Sequence, residues 1–402
     1  MPAAASSAHR WRMPVALLIA TSINWFDRSA MALALPKLAE EHGWTTAEIG
    51  ANGARLISIF FIGYGLANML LSPVAERYGP RRALAISVVA FSICTALNAP
   101  LGSTVAALVA LRFLLGVAEG IHFPMASAIV SRWFPLSERS RANGTYILGI
   151  QFAVVTGPLF MVPLIDHFGW RTMFLVLGAL GFVVALPAVL GILRDDGPYA
   201  PDPAARETTS LFAVFREGNY WLVLVAGIMS NIIIYGLLTW LPTYLAKGRN
   251  VPFADLAADT SIPFWLATVA IPFWAVVGDR TDRRAQFASI GCGVAGLGVF
   301  LGARADSLVV TIGLIAIAVF FQNAYQVAEF AFVQRILPPS RVGAATGLYN
   351  GMSIIAGGAG GTALIGKVVE RTGSYDAGLM VVVGAAAINL VVLGLLYRRI
   401  KY

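Results

Sequence analysis

Glu76-Arg77-Tyr78-Gly79-Pro80-Arg81-Arg82 stands between two apolar runs, and Asp279-Arg280-Thr281-Asp282-Arg283-Arg284 stands between two others about two hundred residues further on. Both read as an acid, an arginine, and then an arginine pair. That offset is half the chain, so the echo points to a parallel duplication of one unit. The flanking sequence defines the unit. Runs long enough to cross about 30 Å of hydrocarbon occupy roughly 13–36, 52–75, 82–100, 103–130, 142–165 and 170–193, then 219–246, 256–278, 285–303, 307–333, 342–366 and 375–398. Twelve spans in two sets of six are predicted.

Composition requires the same class. Of 402 residues 58% are hydrophobic and 12% charged, with mean hydropathy +0.74. Soluble domains carry about 25% charged residues, so this chain cannot cover a water-facing surface. An all-α polytopic membrane protein embedded in a lipid bilayer is expected. The net charge of +8 is spread over short loops with no basic, aromatic-interleaved tract, which argues against nucleic acid. Cys94 and Cys292 fall in apolar runs, so neither a disulfide framework nor a metal site is indicated, and no cofactor is expected. Residues 1–12 and the run after them resemble a signal peptide only loosely. The run is too long for one and carries Asp27 and Arg28, so it reads as an uncleaved first span.

The long hydrophilic stretch 194–218 holds Asp195, Asp196, Gly197, Pro198, Pro201 and Pro203 and reads as a linker. The expected organisation is a six-helix bundle over 1–193, a cytoplasmic linker over 194–218 and a second bundle over 219–402. With both termini in the cytoplasm, inside loops and tails hold nineteen of the 29 basic residues and outside loops seven. That bias orients both termini to the cytoplasm, and a multi-pass location in the inner (plasma) membrane is expected.

Four ionisable residues lie inside spans: Asp27 and Arg28 in the first, Arg112 and Glu119 in the fourth. Each costs roughly 2.5–3.5 kcal/mol at the bilayer centre, so they must face protein or a wet cavity, and such groups mark an ion or substrate pathway. Arg112 and Glu119 are two helical turns apart, on one face and about 10 Å apart along the axis. Asp27 and Arg28 point about 100° apart and cannot serve one partner equally. One of them is expected to pair with a charge on the fourth span while the other reaches the cavity.

These features have a family likeness. Twelve spans, a central linker and the repeated loop resemble the major facilitator superfamily over essentially the whole chain. Ile23-Asn24-Trp25-Phe26-Asp27-Arg28 is similar to the first-helix signature of its anion:cation symporter family, which includes bacterial galactonate, glucarate and hexuronate transporters, sialin and the vesicular glutamate transporters. Arg112-Phe113-Leu114-Leu115-Gly116 leading to Glu119 resembles that family's fourth helix. Trp133-Phe134-Pro135 with Glu138-Arg139 resembles its next loop, and Tyr235-Gly236-Leu237-Leu238-Thr239-Trp240-Leu241-Pro242 its seventh helix. There are departures: Glu76 where Asp is usual, Asp282 where glycine is expected, and Gly157-Pro158 without the further glycines of the antiporter motif, which leans against exchange of drugs.

The resemblance implies a proton-coupled importer of a small organic carboxylate, such as a sugar acid, working by alternating access as a monomer. Arginine offers a carboxylate a planar fork that stays charged, and the resemblance assigns that role to Arg28. A carboxylate alternating between a paired and a dry state takes up and releases a proton. Glu119 is the first candidate and Asp27 the second, with Arg112 holding one of them ionised. The alternative for the set is a static salt-bridge network that fixes packing. Tyr64 and Gln151 resemble family residues that contact substrate, and Asn350 is the matching partner from the second half. Trp25 either stacks on the substrate or packs. His122, one turn from Glu119, is expected to pack beside Pro124. Glu329, with Gln322, Asn323 and Gln326, makes the tenth span unusually polar, and an interdomain gate or salt bridge near the inner end is expected of it in preference to ligand contact. Arg55 snorkels or attracts anions at the entrance. The glycines of Gly357-Gly358-Ala359-Gly360-Gly361 are expected to allow close packing or a bend. Glu76, Arg77 and Arg81 of one loop, with Asp279 and Arg280 of the other, form the expected gate latch.

Two other transport readings and two other classes remain open to comparison. A carboxylate uniporter or exchanger would lack proton coupling. A membrane sensor needs an output domain that the short tails do not supply. An intramembrane enzyme needs a motif such as HExxH, GxGD or a Ser/His/Asp set, and none is present, so no enzyme is expected.

Overall fold

In a bilayer every backbone N–H and C=O must find a partner within the protein, so apolar runs of this length become helices. A computed structural model describes residues 7–199, 218–281, 283–336 and 348–399, and among them it is helical with no strand. The helices are α1 (Ser7–His42), α2 (Thr46–Leu70), α3 (Ser72–Tyr78), α4 (Pro80–Leu101), α5 (Val105–Glu119), α6 (His122–Trp133), α7 (Leu136–Leu180) and α8 (Leu186–Ile192). After the linker come α9 (Gly218–Thr243), α10 (Leu256–Thr281), α11 (Arg284–Arg304), α12 (Leu308–Ile336), α13 (Gly360–Thr372) and α14 (Tyr375–Arg399). Local chemistry sets several starts. Thr45 and Glu48 exchange bonds at the head of α2, the Thr45 N–H donating to Glu48 Oε2 at 2.9 Å and the Glu48 N–H to Thr45 Oγ1 at 3.3 Å, a capping box. Thr104 caps α5 through the Ala107 N–H.

Ten described helical stretches are long and apolar enough to cross a bilayer, against the twelve spans expected. Two features account for the difference. The polar and charged residues of α1 keep it below the mark. The stretch Arg141–Ile192 is counted once, although its 52 residues would extend about 78 Å as one straight helix. It is interrupted at Gly169, whose φ of 83° and ψ of 158° are open to glycine and strained for other residues. Short π-helical turns occur at Gly181–Ala185, Tyr244–Gly248 and Ile354–Ala359. The last falls on the glycine-rich run, where one wide turn takes the place of a regular one.

By contacts the chain forms two units. The first comprises the described residues of Met1–Met31, Ile62–Gly157 and Leu164–Thr208; the second those of Ala32–Phe61, Pro158–Pro163 and Thr209–Tyr402. The end of α1 and the first half of α2 therefore pack with the C-terminal helices. In the second unit α11 lies against α12 and α14, and α10 against α12. Its core gathers Tyr220, Val223, Tyr325, Phe332 and Tyr349 with the small residues Ala285, Ala288 and Cys292.

The fourth expected span is broken into α5 and α6 at Gly120-Ile121. Pro124 has no N–H, so the Gly120 carbonyl loses its partner one turn on. Asn68 of α2 replaces it, donating from Nδ2 to Gly120 O at 3.2 Å. Ser87 of α4 donates to the Ala118 carbonyl at 2.6 Å. Glu119 lies just before the kink and His122 just after it.

A buried four-charge site in the first unit

The site is built on α1 up to Met31, α2 from Ile62, α5 and α6, all within the first unit. Gly149 of α7 lies against the Leu18 carbonyl and Ser22, so α7 seats closely on α1. Ser22 Oγ donates to Leu18 O at 2.9 Å and Ser29 Oγ to Trp25 O at 3.1 Å. Such back-bonding satisfies hydroxyls inside an apolar span.

Arg28 and Glu119 meet directly: Arg28 Nη2 lies 3.4 Å from Glu119 Oε2, with both residues buried. That is longer than the 2.7–2.9 Å of a tight charge-assisted bond. Aromatic faces add to the hold. The guanidinium carbon stands 4.4 Å from the ring centroid of Trp25 and 4.4 Å from that of Tyr64. A desolvated cation over a ring gains about 2 kcal/mol. Arg28 is thus fixed in orientation by two rings and only loosely held by its carboxylate.

Asp27, Arg112 and Glu119 are at most 2% exposed. Arg112 attracts Asp27 and Glu119 repels it, with the Thr95 hydroxyl also beside it. Among the described residues no group reaches either Asp27 oxygen at good hydrogen-bond geometry. Asp27 therefore faces protein and not an open cavity. Arg112 lies in the fields of Glu119 and Asp27, which attract it, and of Arg28, which repels it. Asn24 adjoins Glu119, and His122 Nε2 lies 3.0 Å from Thr21 Oγ1, tying the head of α6 to α1. Two cations and two anions occupy one dry volume with zero formal net charge.

The remaining expected residues fall as follows. Trp25 and Tyr64 are buried against Arg28. Gln151 is half-buried on α7 and makes no side-chain hydrogen bond among the described residues. Asn350 belongs to the second unit, half-buried, its carbonyl accepting from Ser353 Oγ at 3.2 Å. Glu76 is half-buried and Arg77 exposed. The Arg81 N–H donates to Asp195 Oδ1 at 3.0 Å and its guanidinium to the Leu190 carbonyl. Asp195 also pairs with Arg132 at 3.4 Å, so the first linker residues are bound to the loop and to α6. Arg280 is exposed; the Asp279 side chain and Asp282 lie outside the described residues. Sequence reasoning did not single out Thr21, Asn24, Asn68, Thr95, Arg132 or Asp195 as a site or loop partner. Asn24 and Asn68 carried a signal, an amide in an apolar run, but a polar residue alone does not name its partner.

One charged contact lies beyond the apolar segments, in the second unit. Lys247 Nζ stands 2.7 Å from Glu40 Oε1, with Lys37 3.5 Å from the other oxygen. Partial burial raises the Glu40 carboxyl, but the hydrogen bond and charge of Lys247, with the charge of Lys37, outweigh it and hold the group below its ordinary value.

Comparison with known proteins adds relatives. The family model described as Major Facilitator Superfamily matches residues 17–360 and again 260–402. The chain is 29% identical to a probable sulfoacetate transporter of Cupriavidus necator over 89% of this chain and 87% of that protein. It is 26% identical to a probable galactarate/D-glucarate transporter of Bacillus subtilis over 96% and 91%, and 25% identical to a hexuronate transporter of the same organism over 93% and 92%. Among solved structures, a bacterial homologue of the human lysosomal transporter Spinster matches with TM-score 0.79, 19% identity and 98% of each chain covered. A D-xylose–proton symporter matches with TM-score 0.80, 13% identity and 98% of each chain covered.

Proposed function

We propose that this chain, which belongs to the Major Facilitator Superfamily, takes up a small organic anion together with a proton. The anion class suggested by its relatives is a sugar acid or another small carboxylate; the sulfoacetate relative adds a sulfonate-bearing acid to the candidates. The observation that carries the reading is Arg28, held between Trp25 and Tyr64 and loosely bound to Glu119. The rings orient the fork while the weak carboxylate contact leaves it exchangeable.

Charge arithmetic favours symport. Asp27, Glu119, Arg28 and Arg112 together carry zero net formal charge. An anion entering alone would leave one uncompensated negative charge, and an unpaired buried ion costs several kcal/mol. An anion entering with a proton on Glu119 restores zero and removes the carboxylate that competes for Arg28. Asp27 is the second proton candidate, and Arg112 the cation that holds whichever carboxylate stays ionised. Tyr64, Trp25 and Gln151 line the anion site from the N-terminal bundle (1–193) and Asn350 from the C-terminal bundle (219–402). In this reading the protein is a monomer in the plasma (inner) membrane with cytoplasmic termini. Its two bundles, joined by the 194–218 linker, rock about the site. Glu76, Arg77, Arg81, Asp279 and Arg280 act at the inner gate.

Purified protein in liposomes loaded with a pH-sensitive dye tests this. Outside addition of one anion class should acidify the interior, and Glu119→Gln should abolish the acidification. Entry of labelled anion without proton movement would replace symport by uniport or exchange.

A further inference from the structure

The second unit holds a carboxyl that the four-charge site does not use. Glu329 lies roughly 30 Å along α12 from Leu308 at 1.5 Å per residue, near the cytoplasmic end in the proposed orientation. Tyr349 donates its hydroxyl to Glu329 Oε1 at 2.7 Å, and the hydroxyls of Tyr349 and Tyr325 are 2.8 Å apart. Three oxygens from two helical segments thus form one chain. Around it the core is apolar, with Tyr349 seated against Gly227 of α9 and Phe332 one turn beyond Glu329 and two beyond Tyr325. Tyr325 and Tyr349 are fully buried and Glu329 half-buried, so the carboxyl is the more accessible end of the chain. Of the gate or salt bridge expected of Glu329, no ion pair is found among the described residues. The titratable groups facing the cluster are Tyr220 on α9, Cys292 on α11, Tyr325 on α12 and Tyr349. Arg284 at the head of α11 lines a neighbouring cavity with Ala328.

Resting on the symport reading, we propose that Glu329, hydrogen-bonded through Tyr349 to Tyr325, is a second proton-binding site, serving the cytoplasmic side of the C-terminal half. The chemistry selects a proton over other ligands. A lone carboxyl among apolar side chains becomes neutral by taking a proton. A metal ion would need several more oxygen ligands than one carboxylate and two phenols supply. An organic anion would meet a carboxylate that pairs with no cation among the described residues. The tyrosine pair holds one carboxyl oxygen in either state, and the proton is carried on the other. Hydration of the carboxyl end as the inner side opens would release it.

Infrared difference spectra of the protein in lipid, recorded across a pH series, read the carboxyl group directly. Two titrating carboxylic-acid bands are expected, one removed by Glu119→Gln and the other by Glu329→Gln. Tyr349→Phe should move the second band and its titration midpoint without removing it, which shows that the hydrogen bond acts on that carboxyl in a folded protein. In transport, Glu329→Gln should flatten the dependence of anion efflux on inner pH from about tenfold per unit, the limit for one titrating group, to less than about twofold. Retention of every titrating band in monodisperse Glu329→Gln protein would overturn the proposal, as would a Glu329 band that never titrates. If no anion moves protons in the unmodified protein, the symport reading fails, while the infrared titration still tests Glu329.

Discussion

At the scale of the residue, the site depends on giving each buried polar atom a partner. Pro124 strips the Gly120 carbonyl of its helical donor, and Asn68 supplies another from a different helix. Asn68→Leu should therefore destabilise the protein by about 1–3 kcal/mol, the cost of an unsatisfied buried group. Thermal unfolding in detergent measures it. Adding Pro124→Ala should restore part of the loss, because the new N–H can reach Gly120 O; no recovery in the double variant would remove Asn68 from this role. The four span charges were legible from sequence because a charge in an apolar run has so few tolerable settings. Their pairing was not. Adjacent helical residues diverge by about 100°, so Asp27 and Arg28 could each have met Glu119 until the azimuth of α1 was known.

Close backbone approach and one ion pair act at the scale of the element. In the second unit the first half of α2 lies so near α13 that a Cβ on Gly50 would come within 2.6 Å of the Glu370 nitrogen and 2.7 Å of the Gly366 oxygen. Backbone cannot yield as a side chain tip does. Gly50→Ala should push these helices apart and lower uptake by about tenfold, a loss of roughly 1.4 kcal/mol, with the protein still monodisperse. Unchanged uptake would show that the approach is dispensable. The Glu40–Lys247 pair at the same end follows pH with a definite sign. Because Glu40 is held below its ordinary value, its contribution is complete above the ordinary glutamate range and drains away as pH falls through the lowered value. Its side chain is half exposed, so the pair is worth less than about 1 kcal/mol. Thiol labelling of Thr46→Cys, beside this pair, should speed up modestly in acid and lose that pH response in a Glu40→Gln background. The duplicated loop revealed the repeat to sequence reading, whereas the break between α5 and α6 was masked by an apolar run that reads as continuous.

Binding of anion and proton is a property of the whole molecule. If both load together, a transported anion at a hundred times its Kd should stabilise the protein by about 2.7 kcal/mol. Its apparent affinity should tighten by up to about tenfold for each unit the pH falls while the coupling carboxylate is ionised. Melting curves with anion at several pH values check both, and a pH-independent Kd would argue against coupling at equilibrium. The same scale shows where counting spans from composition loses precision. Charges lower the apolarity of α1, and the break at Gly169 falls between the spans 142–165 and 170–193 that the sequence had already separated.

Sequence alone determined that this is a helical membrane protein with an internal repeat, because burial of backbone in lipid and the cost of charge there leave few alternatives. It also singled out Asp27, Arg28, Arg112 and Glu119, since each is too costly to stand against lipid. Tertiary structure decided which charges meet, that Trp25 and Tyr64 clamp the Arg28 guanidinium, that Asn68 repairs the proline break, and that Glu329 binds tyrosine. Those contacts join residues tens to a hundred positions apart. They depend on the rotation and approach of packed helices, which hydrophobic periodicity in nearly uniform apolar runs does not encode.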